Sequence, residues 1–589
     1  MQSRAHRLLI PLAALLAILP LLVSGSSCGH DFDFHLLSWL EASTQIAHGG
    51  FPHWAFTPAW NAGEPRFLFY PPLSWLLGAT LGLVLPWAVV PSAFTWITLT
   101  LAGFTMRRFA SGFVAPNAAM LAAIVYLANP YMLFTAYERT AYGELLAAAF
   151  IPLLFAAILA PRLHMLMIAA AVALIWLANA PAGVMSCYAL AILALLRLCS
   201  KPSAESTRSR QAALIVGGTC LGLALAAAYL VPATYEQRFI SADMATVEGM
   251  RIVDNTLFHH MSATVPDAAL HDQVLATAST VALAILAGIA LAVFLRRKLI
   301  SLPLLLLAAL IAILLTPVSL PIWAHLPELR FLQFPWRLTA LLAPTFALTI
   351  ASLFGPLTNG HPERRLSRFL RQPQSKDPEE AGATSESGPF LPVPQSSESA
   401  KRQVILGLAI ATLLIAPAWS IFHQPCDAED SVAGRVALFH SRAGTEPIDE
   451  YTPAAADGDA LHPNNPPYWL IPTSAVDPIN ANPPADATPG PAPSHLVLTE
   501  PRPAYLVLNR RQYPLWQLRL NGQPIAPHQP ERTDGLISVL LPAGTDTIDL
   551  VAIRTPDEDI GLGVTLAAGA LALGLWRRER RIQPPGISR

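Results

Sequence analysis

Apolar residues in this chain come in blocks of about twenty, the length a helix needs to cross roughly 30 Å of hydrocarbon. Twelve blocks qualify, at approximately 8–24, 90–106, 115–134, 142–160, 163–180, 182–198, 212–231, 274–295, 299–317, 337–354, 404–421 and 560–576. A thirteenth, PLSWLLGATLGLVLP at 72–86, is only 15 residues between its flanking prolines. Counting it as a span would invert every later loop, so the pattern predicts a re-entrant or interfacial helix there.

Between the blocks the pattern changes twice. Residues 355–402 carry QPQSKDPEEAGATSESGPFLPVPQSSES, the composition of a disordered linker. Residues 451–493 are rich in Pro, Ala, Asn and Asp with little periodicity. From about 494 the half-alternating runs HLVLTE, AYLVLNRR, WQLRLNGQPI, GLISVLLPAG and TIDLVAIRT predict short strands, with Asn521-Gly522 as a hairpin-turn signal and Gly544 at another turn. The expected fold is an all-α polytopic membrane protein of about twelve transmembrane helices with a small C-terminal extracytoplasmic β domain.

Composition agrees: 53% hydrophobic and 13% charged residues over 589 positions, with a mean hydropathy of +0.44, against roughly 25% charged in a soluble domain. The net charge of -1 offers no basic surface for nucleic acid. The placement of the basic residues gives an orientation. With the N-terminus inside, 24 of the 38 Lys+Arg fall on the cytoplasmic side, and only Arg66, Arg139, Arg238, Arg251, Arg330 and Arg337 lie in short outer loops. The remaining eight lie in one long outer segment, which the positive-inside rule does not govern. The chain then divides into a first transmembrane helix 1–24, a first outer loop 25–89 containing the candidate active site and the helix 72–86, a transmembrane core 90–354, a cytoplasmic linker 355–402, a helix 403–421, an extracytoplasmic domain 422–559, a last helix 560–576 and a basic tail 577–589. Both termini are cytoplasmic, and the expected location is the cytoplasmic membrane.

Arg4 and Arg7 before the first block also fit a cleaved signal sequence, whose removal would change no later loop. Cys28 and Cys426 both fall outside, where a disulfide is chemically allowed and unpaired thiols are an equal alternative.

The densest polar chemistry beside the membrane is in residues 25–71, centred on His30, Asp31, Asp33 and His35. In a helix starting near His30, Asp31 and His35 share a face one turn apart while Asp33 points elsewhere. Such a pair can share a proton, a metal or a substrate hydroxyl; the competing role for Asp31 is to cap the helix. Trp39, Trp54, Trp60 and Trp75 fit sugar stacking, with the interfacial aromatic belt as the default. His259-His260 fits a solvated loop pair better than a site.

The stretch HDFDFHLLSWLEASTQIAHGGFPHWAFTPAWNAGEPRFLFYPPLSWLLG resembles the opening of bacterial multi-pass proteins with a 6-pyruvoyl-tetrahydropterin synthase-related membrane domain, which are similar to YfhO-like proteins and to the wider GT-C glycosyltransferase superfamily. The matching elements are Asp31 and His35, Gly50-Phe51-Pro52-His53-Trp54, Gly63-Glu64-Pro65 and Phe67-Leu68-Phe69-Tyr70-Pro71-Pro72-Leu73. Downstream, Arg139 to Glu144, Leu332-Gln333-Phe334-Pro335-Trp336-Arg337, and Tyr513-Pro514-Leu515-Trp516 with Asn521-Gly522 resemble further family elements. His53 stands where the family often has Arg, and Glu64 where it often has Gly.

The resemblance implies a GT-C architecture with an active site at the outer face and a sugar donor carried on polyprenyl phosphate. The acceptor would be a glycan, lipid or protein. It implies Asp31 as general base or as ligand to a divalent metal, Mg or Mn, with His35 and Asp33 beside it. Arg66, Tyr70, Arg139, Glu144, Arg330 and Arg337 are the substrate-binding candidates, since a donor phosphate needs cations and Arg suits bidentate contacts. For the arginines the alternative is structural pairing, Arg139 with Glu138 or Glu144, and Arg330 and Arg337 with Glu328. Two other functions compete: a transporter or flippase of a lipid-linked intermediate, and a non-catalytic protein of cell-envelope glycan assembly. A transporter is expected to carry charge near the midplane, whereas these spans are almost free of it.

Overall fold

The computed structural model describes residues 2–200, 207–265, 267–296, 301–326, 328–354, 405, 409, 412, 415–475, 477–525 and 532–582. The linker expected at 355–402 and most of the block at 404–421 lie outside the described residues.

The fold is mostly helical. Among the described residues six helices are long and apolar enough to cross a bilayer: Trp87–Ala110, Pro116–Tyr137, Tyr142–Leu159, Ala180–Cys199, Ala268–Arg296 and Pro556–Arg580. Two further pairs, Arg208–Leu225 with Ala227–Phe239 and Leu302–Leu314 with Pro317–His325, bend by 74° and 93°, giving up to eight if each pair is one span. Of the other expected spans, those at 163–180 and 337–354 appear as Met165–Ala178 and Thr339–Ser352, each of 14 residues. At 1.5 Å per residue these reach only about 21 Å, so their apolar length exceeds their helical length. The block at 8–24 breaks after Ala17 into Gln2–Ala17 and Leu19–Val23, with Pro20 at the second start. The 72–86 run forms the 13-residue helix Pro72–Val84 between Pro71 and Pro86, and it packs on Phe32–Ala47.

The C-terminal β region has two antiparallel sheets. One has the order β1-β3-β6 and the other β2-β7-β4-β5, with β1 Tyr468–Pro472, β2 His495–Glu500, β3 Ala504–Arg511, β4 Trp516–Leu520, β5 Gln523–Pro524, β6 Leu536–Leu541 and β7 Gly544–Ala552. Leu506, Leu508, Leu518, Ile537, Leu541, Ile548 and Leu550 fill the space between them, so alternate residues of both sheets make one core. Asn521 and Gly522 turn β4 into β5 with φ of 52° and 78°, the left-handed pair that a two-residue hairpin of this twist requires. β1 lies in the stretch without periodicity. It pairs with β3 from Tyr468↔Leu508 to Pro472↔Ala504, and its order comes from that pairing rather than from its own pattern.

The segments 25–89 and 422–559 are interlaced. Cys28 and Cys426 form a disulfide with Cα atoms 5.0 Å apart. The Cys28 N–H also donates to the Gln424 carbonyl. Further along, Trp60 N donates to Thr445 O and Thr445 N to Thr57 O. Within the loop, Glu41 accepts from Thr57 Oγ1 at 2.6 Å, and Gln45 Nε2 donates to Trp54 O at 2.8 Å. Trp54 then meets Tyr513 and Trp516 of the β region at 5.5 and 5.6 Å between rings. The aromatic belt expected for the tryptophans is therefore corrected: Trp39, Trp54 and Trp75 are buried, Trp39 against Phe94 and Tyr142 of the helical core, Trp75 against Phe67, and Trp54 against the β region.

Candidate active site

The Phe32–Ala47 helix presents three of the candidate side chains in three directions. Asp31 occupies its N-cap position but makes no side-chain capping hydrogen bond. Its carboxylate instead faces Arg139 NH2 at 3.5 Å and is 41% exposed. Capping is thus not what Asp31 does. Asp33 points away, as its spacing requires, and its carboxylate pairs with Arg435, which also holds Asp430. Burial pushes the Asp33 carboxyl up, with Arg435 opposing. Arg435 sits on the helix Val432–Ser441, so Asp33 anchors that helix.

His35 is buried among rings rather than bonded to Asp31. Its Nε2 lies 3.4 Å from Tyr70 Oη, and Phe34, Trp39, Tyr70 and Tyr142 surround the imidazole. Burial lowers its pKa to about 4, against the pull of Asp31, so the ring is neutral at pH 7.

The turn that carries Arg139 is built locally. Asn129 accepts from the N–H groups of Tyr131 and Met132 and precedes Pro130, which together start the short helix Pro130–Tyr137. That helix ends just before Arg139, and the β-branched Thr140 beyond it has φ of 49°. Gly29 lies directly against this turn: a Cβ there would stand 2.1 Å from the Glu138 carbonyl oxygen. The close approach lets His30 and Asp31 N–H groups donate to Glu138 and Arg139 carbonyls.

Arg139 and Arg337 converge on one carboxylate. Arg139 NH1 donates to Glu144 Oε2 at 2.5 Å. Arg337 Nε lies 3.3 Å from the same oxygen, off the hydrogen-bond direction, so that contact is one of charge. The Tyr131 hydroxyl donates to Glu144 Oε1. Burial works against the charge of Arg139, but Glu144 and Asp31 outweigh it and raise its pKa. The element Phe334-Pro335-Trp336-Arg337 adds a stack: Arg337 over Phe334 at 4.8 Å, Phe334 against Trp336 at 5.1 Å and Arg139 over Trp336 at 4.7 Å.

The remaining candidates separate. Arg66 is buried in an ion pair with Glu64 at 2.8 Å and donates to Ser38 Oγ at 3.1 Å, so the carboxylate that departs from the family pattern neutralises it. Tyr70 lines the His35 pocket. The side chain of Arg330 lies outside the described residues. His260 pairs with Asp272 in its own loop at 3.1 Å. Among the described residues no three His, Cys, Asp or Glu side chains gather as a group able to hold a metal. Asp31, facing a guanidinium, and His35, enclosed by rings, do not form such a donor set.

Several neighbours carry no sequence signal. Tyr131 and Arg435 enter from segments without a motif. Glu450, on the turn Asp449–Tyr451, is half-buried and pushed up to about 7 by burial and by nearby Glu64, with Arg337 opposing. Ile448 N donates to Glu64 and Tyr451 stacks on Phe69 at 5.8 Å, which fixes that turn at the site's rim.

No protein-family model matches the chain, and no curated protein matches it. Among solved structures it is similar to the arabinofuranosyltransferase AftD from Mycobacteria, with 18% identity and a TM-score of 0.38 over 70% of this chain and 26% of that one. It is also similar to the Archaeoglobus fulgidus oligosaccharyltransferase in the apo form, with 14% identity and a TM-score of 0.36 over 72% of this chain and 57% of that one. The chain thus spans about a quarter of the first and just over half of the second.

Proposed function

We propose that this protein is a multi-pass membrane glycosyltransferase of GT-C type, moving a sugar from a polyprenyl-phosphate donor to a glycan, lipid or protein acceptor at the face that carries the β region. The observation that carries the reading is Asp31: a partly exposed carboxylate, free of capping duty, held against Arg139, which shares one buried carboxylate with Arg337. A base beside cations is what this reaction needs.

In the proposed reaction an acceptor hydroxyl gives its proton to Asp31 and its oxygen attacks the anomeric carbon. The bond from that carbon to the phosphate oxygen breaks, and its electron pair leaves on the lipid phosphate. Arg139 and Arg337 stabilise the charge that develops there, and Glu144 with the Phe334–Trp336 stack fixes both guanidiniums beforehand. His35, neutral and enclosed, shapes the wall behind Asp31. Asp33 serves as an anchor and Arg66 as part of the loop's scaffold.

Membranes holding Asp31→Asn at normal expression are expected to lose about 10²-fold or more of sugar transfer from a radiolabelled polyprenyl-phosphate sugar. Transfer retained at the wild-type rate would overturn the assignment of Asp31.

A further inference from the structure

The loop from 241 to 258 joins the helix Ala227–Glu236 to the span Ala268–Arg296 and carries an unusual surface. Met244, Val247, Met250 and Val253 recur every third residue, and each is between 39% and 44% exposed. Met244 lies on the first and Val253 on the second of two short 3-10 helices, Ala242–Thr246 and Ile252–Asn255, and Val247 and Met250 lie on the turn between them. Phe258, beyond the second of them, is 47% exposed.

The polar groups of the loop turn toward one another. Arg251 Nε donates to Asp254 Oδ2 at 2.8 Å, Gly249 N donates to the same oxygen at 3.0 Å, and Asn255 Nδ2 donates to the Gly249 and Arg251 carbonyls. Glu248 and Arg251 stay exposed, but a short segment that pairs much of its polar chemistry internally and leaves five apolar side chains bare suits a boundary between water and an apolar phase.

Continuity shows what covers it. The end of the loop is tied to the span Ala268–Arg296 by the Phe258 N–H, which donates to Ser279 Oγ at 3.0 Å, and Leu270, Leu283 and Leu291 of that span are likewise exposed. On its other flank the Ile252–Asn255 turn packs on Leu320–His325, the helix that breaks by 93° from the apolar Leu302–Leu314 and leaves Ile322 exposed. The same turn packs on Pro335–Leu338, which carries Arg337, and Gln333 Nε2 donates to the Ala245 carbonyl at 2.5 Å.

We propose that loop 241–258 is an interfacial element that seats Met244, Val247, Met250, Val253 and Phe258 in the acyl region of the lipid leaflet on the β-region side, and so holds Arg337 at the level of lipid phosphates. The placement of the loop is independent of the reaction proposed for Asp31. It would stand if Asp31→Asn retained full transfer.

The test uses the full chain with Cys187, Cys199 and Cys220 replaced by serine, reconstituted in phosphatidylethanolamine/phosphatidylglycerol vesicles. A nitroxide is placed in turn at Val247→Cys, Met250→Cys and Val253→Cys, with Glu248→Cys in the same loop and Arg502→Cys on the β region as references. Power saturation is expected to show the three apolar positions accessible to oxygen and shielded from a water-soluble nickel relaxant, with both references showing the reverse. Equal exposure to the nickel relaxant at apolar and reference positions would overturn the proposal. So would shielding from both relaxants, the signature of a second copy or a protein partner on this face. Unmodified protein gives a second reading: vesicles doped with an acyl-chain diazirine lipid are expected to label peptides from 244–258 as well as from Ala268–Arg296. Labelling of the span without the loop would overturn it.

Discussion

At the residue scale, the site is decided by which charges have partners. Asp31, Asp33 and Glu64 have the same chemistry in sequence, and only their neighbours separate them: Arg139, Arg435 and Arg66 respectively. His35 makes a pH prediction with a definite sign. Its pKa falls from 6.5 unfolded to about 4 folded, so the stabilisation it allows is present above pH 6.5 and is lost as pH falls toward 4, because the unfolded chain takes up the proton first. Between pH 7.5 and 5 the loss is about 2 kcal/mol. Glu450 and Glu138, both pushed up to about 7 by burial, act in the opposite sense and gain stability as pH falls. Wild type must therefore be compared with His35→Phe. Its thermal midpoint in detergent is expected to fall relative to the variant on going from pH 7.5 to 5, and a difference that does not change with pH would refute the buried neutral imidazole.

At the element scale, local signals placed most pieces. Asn521-Gly522 turns a hairpin and prolines bound Pro72–Val84, whereas the helix start at Asn129-Pro130 falls inside the expected block 115–134. What they did not give was the length of a helix inside an apolar run or the strand β1, both set by packing against other elements. The disulfide belongs to this scale as well. It ties the stretch before the Phe32–Ala47 helix to the stretch before the Val432–Ser441 helix, 398 residues apart at the two cysteines. The double replacement Cys28→Ser with Cys426→Ser is expected to lower stability by about 2–4 kcal/mol and to speed proteolysis of the chain between 424 and 451. Unchanged cleavage there would mean that the Arg435 pairs and the Thr57–Thr445 hydrogen bond hold the segment alone.

At the scale of the whole molecule, Glu144 is the joint. Its buried side chain gathers Tyr131, Arg139 and Arg337, the last from nearly two hundred residues away. Glu144→Gln keeps the shape and removes the charge, leaving Arg337 without its carboxylate and Arg139 with only the half-exposed Asp31, at a cost of about 3–5 kcal/mol. A matching drop in thermal midpoint, with Asp31→Asn close to wild type, is the expected result; equal small losses in both would refute the shared-carboxylate arrangement.

By itself the sequence determined the apolar, helix-rich character of the chain, the β region and its central turn. These follow from local composition, period and turn chemistry, which act over a few residues. Only the tertiary structure decided that Arg66 is neutralised by Glu64, that Asp33 is an anchor, that Cys28 meets Cys426, and that Glu450 faces the site. Each of those depends on a partner whose distance along the chain leaves no pattern, because burial and ion pairing are settled by which surfaces meet.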